Sequence, residues 1–232
     1  HIRSNSWCHS PDTVVYGMVP LTMKTLIHLI FLAFLLPSDG ALIRAKATAD
    51  KVKVLLCSEA LCPDCEQYIQ KTLFPAYNLL SEIIDLDMIP YGNALINTTA
   101  KTVECQHGAG ECDANVWELC AVKWFPSDQH LPFMECLTHS LPMGYHDEPF
   151  DPKIFEDCSE KAGLWFSRLK SCHDKDAWAI QKDAADQTPD DHEYVPWVEI
   201  NGSHIDEEKV DLVTAICDAY EGEFEGCSAM ER

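Results

Sequence analysis

Positive charge is scarce in this sequence. Its 232 residues include 17 Lys and Arg side chains against 38 Asp and Glu side chains, so the formal net charge is −21. Affinity for nucleic-acid phosphates depends on clustered Lys and Arg, and no such cluster occurs here, which excludes a nucleic-acid partner. The same excess of negative charge opposes binding to anionic lipid headgroups.

A long apolar segment is also missing. The apolar run Thr25–Leu36 is twelve residues long, whereas a transmembrane helix needs about 20. The run follows Met23 and is followed by small residues around Gly40, an arrangement typical of a secretory signal peptide. A buried or amphipathic helix is the alternative interpretation of the run.

Three regions follow from this interpretation. We predict a leader without a folded role at 1–22, a signal peptide at 23–40 and one folded domain at 41–232, with no membrane span after cleavage. Cleavage after Ala45 or Ala47 would shorten the domain slightly. A signal peptide places the protein in the secretory route, where disulfide bonds form.

Cysteine is abundant, with 12 residues. Removing Cys8 with the leader and setting Cys62 and Cys65 apart leaves nine, an odd number. Cys57 lies in an apolar segment and is predicted to be a free, buried thiol. The other eight are predicted to form four structural disulfides, although their pairing cannot be read and a disulfide-linked dimer stays open: Cys105, Cys112, Cys120, Cys136, Cys158, Cys172, Cys217 and Cys227.

Cys62 and Cys65 are separated by two residues and lie between a predicted strand and a predicted helix. The strand is Val52–Cys57, which is apolar and rich in β-favouring residues. The helix is indicated by apolar residues at helical spacing: Tyr68, Ile69, Leu73, Phe74, Tyr77 and Leu80. Two cysteines at this spacing can close a disulfide or open to a dithiol.

The position at a helix start assigns different roles to the two thiols. Cys62 is predicted to be the nucleophile, because unpaired backbone N–H groups stabilise its thiolate, and Cys65 the resolving thiol that faces inward. The acidic neighbours Glu59, Asp64 and Glu66 oppose thiolate formation. An inert structural disulfide is the alternative.

The remaining patterns predict a mixed α/β fold. A second strand is predicted at Glu82–Pro90, a helical insertion at about 100–190 and a strand at 195–200. A hairpin turn follows at Asn201-Gly202, and a terminal helix at Asp206–Tyr220. The order β-α-β, helical insertion, β-β-α resembles the thioredoxin fold with a helical insertion, as in the bacterial periplasmic disulfide oxidants.

That resemblance implies a role for Pro196. In thioredoxin-like folds a cis proline faces the dithiol, and the preceding residue, here Val195, offers its backbone to the substrate chain. An ordinary proline at a strand start is the alternative. Independently, Asn97 and Asn201 each begin an N-glycosylation sequon.

The segment Cys105–Cys120 contains a turn with a glycine pair followed by a predicted helix, for which Asp113 or Asn115 could be the cap. A zinc site at Cys105, His107, Cys112 and Cys120 is one interpretation. Disulfides are favoured instead in an oxidising route, so no metal is predicted.

The pattern in this segment is Cys-Gln-His-Gly, two residues, Glu-Cys, two residues, Asn, four residues, Cys. It resembles the signature of the gamma-interferon-inducible lysosomal thiol reductase family at every fixed position, and the similarity covers roughly Val52 to Cys227. The resemblance implies a glycosylated thiol reductase of endosomes and lysosomes, or a secreted one, which reduces disulfides of unfolding proteins at acidic pH.

By the same resemblance Cys62 and Cys65 are the redox pair. The chemistry needs no bound cofactor, only the redox-active disulfide and an external small-thiol reductant. The expected partners are therefore disulfide-containing proteins and that reductant. Two alternatives stay open, namely a disulfide oxidase or isomerase of the same fold and a secreted disulfide-rich binding or immune-recognition module.

Overall fold

The computed structural model describes residues 49–228. The predicted leader at 1–22 and signal peptide at 23–40 lie outside the described residues. The strands are β1 Val52–Ser58, β2 Ile84–Pro90, β3 Leu95–Asn97, β4 Thr102–Glu104, β5 Trp197–Ile200 and β6 Ser203–Ile205. The helices are α1 Pro63–Tyr68, α2 Phe74–Leu80, α3 Ala109–Trp124, α4 Ser127–Thr138, α5 Pro152–Ala162, α6 Phe166–Gln187, α7 Leu212–Ala219 and α8 Glu225–Ser228.

A four-stranded sheet forms the centre of the domain, in the order β2-β1-β5-β6. Strand β1 pairs parallel with β2 and antiparallel with β5, and Val54 lies opposite Leu86 on one side and Ile200 on the other. Because β1 is an inner strand, its side chains Val54, Leu56 and Cys57 are fully buried. A π-helical turn, Ile69–Leu73, joins α1 to α2. The β-α-β and β-β-α units of the predicted thioredoxin-like fold are therefore present.

The insertion between β4 and β5 contains the four helices α3 to α6. Cys120 and Cys172 link α3 to α6, and Cys136 and Cys158 link α4 to α5. Trp117 of α3 stacks on Phe155 at 4.7 Å between ring centroids. Several short helices thus share one core, which none of them could bury alone. No helix within residues 49–228 is long and apolar enough to cross a membrane.

Three sequence predictions about elements are wrong. The terminal helix does not begin at Asp206, because residues from Asp206 to Val210 form a turn in which the Asp206 carbonyl accepts from the Lys209 and Val210 amides. Asp211 then caps α7 by accepting from the Thr214 amide at 2.8 Å. The helix is therefore Leu212–Ala219 rather than Asp206–Tyr220.

The start of α3 is the second correction. Gly108, at φ 92°, precedes the first helical residue Ala109, so neither Asp113 nor Asn115 is the cap. The side chain of Asp113 lies 2.8 Å from His173, and that of Asn115 accepts from the Ala60 amide. Both are held by tertiary contacts that local sequence does not reveal.

The third correction concerns the hairpin of β3 and β4, which pair antiparallel. The sequence patterns predicted no strand between Pro90 and residue 195, and a helical insertion from about residue 100. Each strand has three residues, too few for an alternating pattern to be recognised. The helices of the insertion begin only at Ala109.

Candidate active site

Cys62 is the residue immediately before the first turn of α1, and Pro63 is the first helical residue. The missing N–H of a proline costs nothing at this position, which is why Cys-Pro starts a helix well. The Sγ atom of Cys62 accepts a hydrogen bond from the Cys65 amide at 3.3 Å. Both thiols are free in the structure, with Cys62 6% and Cys65 0% exposed.

The two thiols have opposite acidities. The pKa of Cys62 is lowered, chiefly by its hydrogen bond with the Cys65 side chain and then by the Cys65 and Asp64 amides, against burial and the Asp64 charge. The pKa of Cys65 is raised, because the thiol is buried and because its proton is shared with Cys62. A low-pKa thiol nearer the surface beside a high-pKa buried thiol is the pairing that a nucleophile and a resolving thiol require.

Val195 and Pro196 lie beside the dithiol, although they are far from it in sequence. Their peptide bond is cis, and the Cys62 thiol points at the Val195 carbonyl, 3.9 Å away. Both residues line an open groove of about 580 Å³, together with Asp64 and Tyr68. The groove therefore opens onto Val195, the residue before the cis proline.

The segment Cys105–Cys120 is joined to the turn that precedes the dithiol. Asn115 Oδ1 accepts from the Ala60 amide at 2.9 Å in a buried position. The Leu61 carbonyl accepts from the Gly144 amide at 2.9 Å, and the segment after Gly144 returns to α3, where the Gly110 amide donates to the His146 carbonyl. The segment Cys105–Cys120 therefore holds the turn Glu59–Leu61 in two ways, directly through Asn115 and indirectly through the chain around Gly144.

Gly110 is required for that close packing. A Cβ atom there would lie 2.7 Å from the carbonyl oxygen of Glu148, which is a backbone atom and cannot rotate away. The glycine pair in the sequence pattern therefore does more than form a turn, because Gly110 lets the backbone of α3 approach the backbone at Glu148.

A buried cluster of ionisable groups lies next to the turn. His107 Nδ1 is 2.5 Å from Glu111 Oε2 and 3.4 Å from Glu59 Oε2, and both glutamate side chains have no solvent exposure. The pKa of Glu59 is raised to about 7, chiefly by burial and then by the charges of Glu111 and Cys62, although the Asn93 amide and His107 act against this. Burial also raises the pKa of Glu118, which faces Glu111, to about 8.

The distances in this cluster fit hydrogen bonds between a histidine and two glutamates better than they fit a metal site. Its three candidate ligand atoms lie within 4.8 Å of one another. However, ligands at about 2.1 Å from one metal ion are separated by more than 3 Å in a tetrahedral site, which is wider than the 2.5 Å between His107 and Glu111. The zinc set considered from sequence does not form, because Cys105 pairs with Cys112 and Cys120 with Cys172.

The other cysteines occupy the places that their predicted roles require. The remaining two disulfides are Cys136–Cys158 and Cys217–Cys227, so all eight predicted structural cysteines are paired within the chain. Cys57 is free and buried in β1, and burial raises its pKa to about 12.

Both predicted glycosylation residues are exposed. Asn97 ends β3, and its Oδ1 accepts from the Thr99 and Ala100 amides. Asn201 lies in the β5–β6 turn at φ 51°. Its Oδ1 accepts from the Lys53 amide at 3.0 Å. Glycosylation of these two residues stays a prediction.

Sequence reasoning missed the contacts of Glu59, His107, Glu111 and Asn115 with one another and with the turn before the dithiol. The signal was available in part, because His107, Glu111 and Asn115 are fixed positions of the Cys105–Cys120 pattern. Glu59 was recognisable only as an acidic neighbour of Cys62. Its burial depends on Gly92, where a Cβ would lie 2.3 Å from Glu59 Cγ.

Comparison with known proteins finds a matching family and several similar proteins. The family described as Gamma interferon inducible lysosomal thiol reductase (GILT) matches residues 53–162. The chain is 34% identical over 181 residues to the "Gamma-interferon-responsive lysosomal thiol protein" of Arabidopsis thaliana, covering 74% of this chain and 72% of that protein. It is 31% identical to the "Gamma-interferon-inducible lysosomal thiol reductase" of Carassius auratus, covering 77% and 72%.

Solved structures show a related fold. The reduced disulfide bond oxidoreductase DsbG of Mycobacterium tuberculosis aligns with a TM-score of 0.56 at 16% identity, covering 77% of this chain and 82% of that one. Reduced DsbA of the same organism aligns with a TM-score of 0.55 at 14% identity, covering 77% and 86%. At these identities the likeness concerns the thioredoxin-like fold with its helical insertion.

Proposed function

Because this chain belongs to the gamma interferon inducible lysosomal thiol reductase family and is a thiol–disulfide oxidoreductase, we propose that it reduces protein disulfides through Cys62 and Cys65. The observation that carries the proposal is the hydrogen bond from the Cys65 amide to Cys62 Sγ at the start of α1. This bond favours the thiolate at Cys62. The neighbouring groove lined by Val195 and Pro196 supports a polypeptide substrate.

The reaction has two steps. The Cys62 thiolate attacks one sulfur of the substrate disulfide, so that a mixed disulfide forms and the other substrate sulfur leaves as a thiolate that takes up a proton. Cys65 then loses its proton and attacks the Cys62 sulfur, and the second substrate thiol is released. Two electrons pass from the dithiol to the substrate. Two molecules of an external small thiol then return two electrons and two protons to the enzyme disulfide and leave as their own disulfide. No bound cofactor takes part.

We place this activity in the acidic endosomal and lysosomal part of the secretory route, or outside the cell. Support comes from the signal-peptide pattern at 23–40 and from relatives whose names include "lysosomal". The lowered pKa of Cys62 also favours a thiolate at acidic pH. Disulfide-containing proteins that are unfolding there would be the substrates.

The test measures the rate at which the purified protein reduces a peptide disulfide. The rate is compared at about pH 5, which represents the lysosome, and at about pH 7, which represents neutral conditions. Cys62→Ser is expected to abolish reduction, and Cys65→Ser to stop after the first step with substrate covalently held by Cys62. Retained reduction by Cys62→Ser would refute the assignment. The reduction potential distinguishes the oxidase alternative, since a strongly oxidising dithiol, as in DsbA at about −120 mV, would donate its disulfide instead.

A further inference from the structure

The two-step reaction leaves the buried acid Glu59 without a role. Glu59 Oε1 accepts from the Asn93 amide at 2.6 Å, whereas Oε2 is buried and has no hydrogen-bond partner. Burying a carboxylate oxygen without a partner is costly, which favours the protonated carboxyl, and a catalytic role is one explanation for such a group.

Glu59 is adjacent to the dithiol. Its carbonyl accepts from the Cys62 amide at 3.3 Å. Its carboxyl charge acts on Cys62 and on Cys65, since ionisation of Glu59 and of each thiol is mutually opposed. A proton lost from Cys65 therefore relieves this repulsion when Glu59 takes it up.

His107 connects Glu59 to the surface. Its ring nitrogen Nδ1 lies between Glu111 Oε2, at 2.5 Å, and Glu59 Oε2, at 3.4 Å, while 18% of its side chain is exposed. The backbone amide of His107 also donates to Glu111 Oε1 at 2.9 Å, which fixes the ring beside both acids. Two buried carboxyl groups are thus joined to solvent through one imidazole.

We propose that Glu59, His107 and Glu111 form a proton relay for the resolving thiol, in which Glu59 accepts the Cys65 proton and His107, held by Glu111, passes it to solvent. This inference rests on the proposed dithiol reaction. It gives the His and Glu of the Cys105–Cys120 pattern a function. Glu59 is the proton acceptor, His107 carries the proton to solvent, and Glu111 is the residue that positions the His107 ring.

The relay acts in the second step. The Cys65 S–H bond breaks and its proton moves to the Glu59 carboxylate, while the Cys65 sulfur bonds to Cys62 and the bond from Cys62 to the substrate sulfur breaks. The electron pair of that bond leaves with the substrate sulfur, which takes a proton from solvent. Glu59 returns its proton through His107, so the protein's charge is restored.

The pH dependence follows from the groups that face Glu59. These are Cys62 and Cys65 from α1, Glu111 from α3, and His107 and the Asn93 amide from the connecting loops, with Glu118 facing Glu111. With a pKa of about 7, about 1% of Glu59 is ionised at pH 5, about 10% at pH 6 and about half at pH 7. The resolution rate should follow that fraction, and it still exceeds the unassisted rate because the Cys65 thiol itself ionises far less.

The experiment follows reduced protein mixed with Ellman's reagent in a stopped-flow instrument from about pH 5 to about pH 8, a range that spans the titration of a base with a pKa near 7. The first thionitrobenzoate released reports attack by Cys62, and the second reports resolution by Cys65. In the wild type the second rate should rise to a plateau near neutrality. In Glu59→Gln, which can still accept from Asn93, it should fall at least about tenfold at neutral pH and lose the plateau.

Two further variants make the test specific. Asp183→Asn removes an exposed acid of α6 that is not among the groups facing Glu59, so it should keep the wild-type profile of the second rate. His107→Ala should slow the second rate, and imidazole added to the buffer should restore it through the space left by the ring. If Glu59→Gln does not fold, Glu59→Asp should keep a plateau at a lower rate.

The outcomes separate the relay from the dithiol mechanism. A Glu59→Gln protein with the wild-type second rate and plateau would overturn the relay while leaving the reduction by Cys62 intact. Failure of imidazole to restore His107→Ala would remove His107 from the path. Absence of the first release in the wild type would instead refute the proposed function itself.

Discussion

At the scale of single residues, environment assigns three different properties to one side-chain type. Cys62 is held at the start of α1, where the Cys65 side chain and amide lower its pKa. Cys65 is fully buried one turn later, and its pKa is raised. Cys57 lies in the inner strand β1, and burial raises its pKa to about 12. Only one of these thiols is therefore a good nucleophile at neutral or acidic pH.

This difference predicts the order of alkylation. Iodoacetamide at about pH 6 should label Cys62 at least about tenfold faster than a free cysteine in an unfolded peptide, whose pKa is ~8.5. Cys65 and Cys57 should remain unlabelled until the protein is denatured. Peptide mapping by mass spectrometry after timed quenching measures the three rates.

The matched control is the Cys65→Ser protein. Its serine hydroxyl can still share a hydrogen bond with Cys62, so Cys62 should remain the fastest thiol. Labelling of Cys57 at a rate similar to that of Cys62 would contradict the burial of β1.

At the scale of elements, short helices depend on covalent links and on a few backbone contacts. The disulfide Cys120–Cys172 joins α3 to α6 across 52 residues, whereas Cys217–Cys227 closes only 10 residues around α7 and α8. The contact from Asn115 to the Ala60 amide ties the insertion to the active-site turn. The insertion therefore supports the site and is not merely an appendage to the sheet.

The two disulfides should differ in their contribution to stability. From loop-closure entropy, removing Cys120–Cys172 in a double alanine variant should lower the free energy of unfolding by about 4 kcal/mol, and removing Cys217–Cys227 by about 3 kcal/mol. Chemical denaturation followed by tryptophan fluorescence measures both. Equal stability of the wild type and the Cys120→Ala/Cys172→Ala protein would show that α3 and α6 hold together without the link.

At the scale of the whole molecule, a large net negative charge is accompanied by buried glutamate side chains. The net charge of −21 makes the compact state repel itself at neutral pH. In addition, burial raises the pKa of Glu59 to about 7 and that of Glu118 to about 8. Burial lowers the pKa of His130 to about 4, although Asp128 partly opposes this. These groups make stability depend on pH in opposite directions.

The balance predicts a protein that is more stable in mild acid. A carboxyl whose pKa is raised by folding contributes stability that is fully present below its unfolded pKa of about 4.5 and is lost as the pH rises through the folded value. The two glutamates therefore lose stability between about pH 5 and about pH 8. The lowered pKa of His130 has the opposite effect, because its contribution to stability is lost as the pH falls from about 6.5 towards about 4. Over that range it offsets the effect of one of the two glutamates.

The free energy of unfolding should therefore fall by about 1 to 2 kcal/mol per pH unit between about pH 5.5 and about pH 7. Urea titrations at several pH values measure the slope. Glu118→Gln should flatten it, while Asp183→Asn, a change to an exposed acid of α6, should not. A wild type markedly less stable at about pH 5 than at about pH 7 would contradict the expected balance.

The sequence by itself determined the features that local patterns encode. The apolar spacing around Cys62 and Cys65 predicted the strand and helix of the first β-α-β unit, and Asn201-Gly202 predicted the β5–β6 turn. An odd count of cysteines left Cys57 as the free thiol. These features depend on neighbours in the chain, so period, spacing and composition were sufficient to find them.

Only the tertiary structure decided the disulfide pairing, the short hairpin β3–β4 and the surroundings of Glu59. Pairing depends on which helices pack together, and the eight cysteines allow 105 pairings by sequence alone. The acid Glu59 is buried because Gly92 leaves room for it and because His107 and Glu111 arrive from another segment. Burial and long-range contact, which set the pKa of a group, are properties of the folded chain and not of its local sequence.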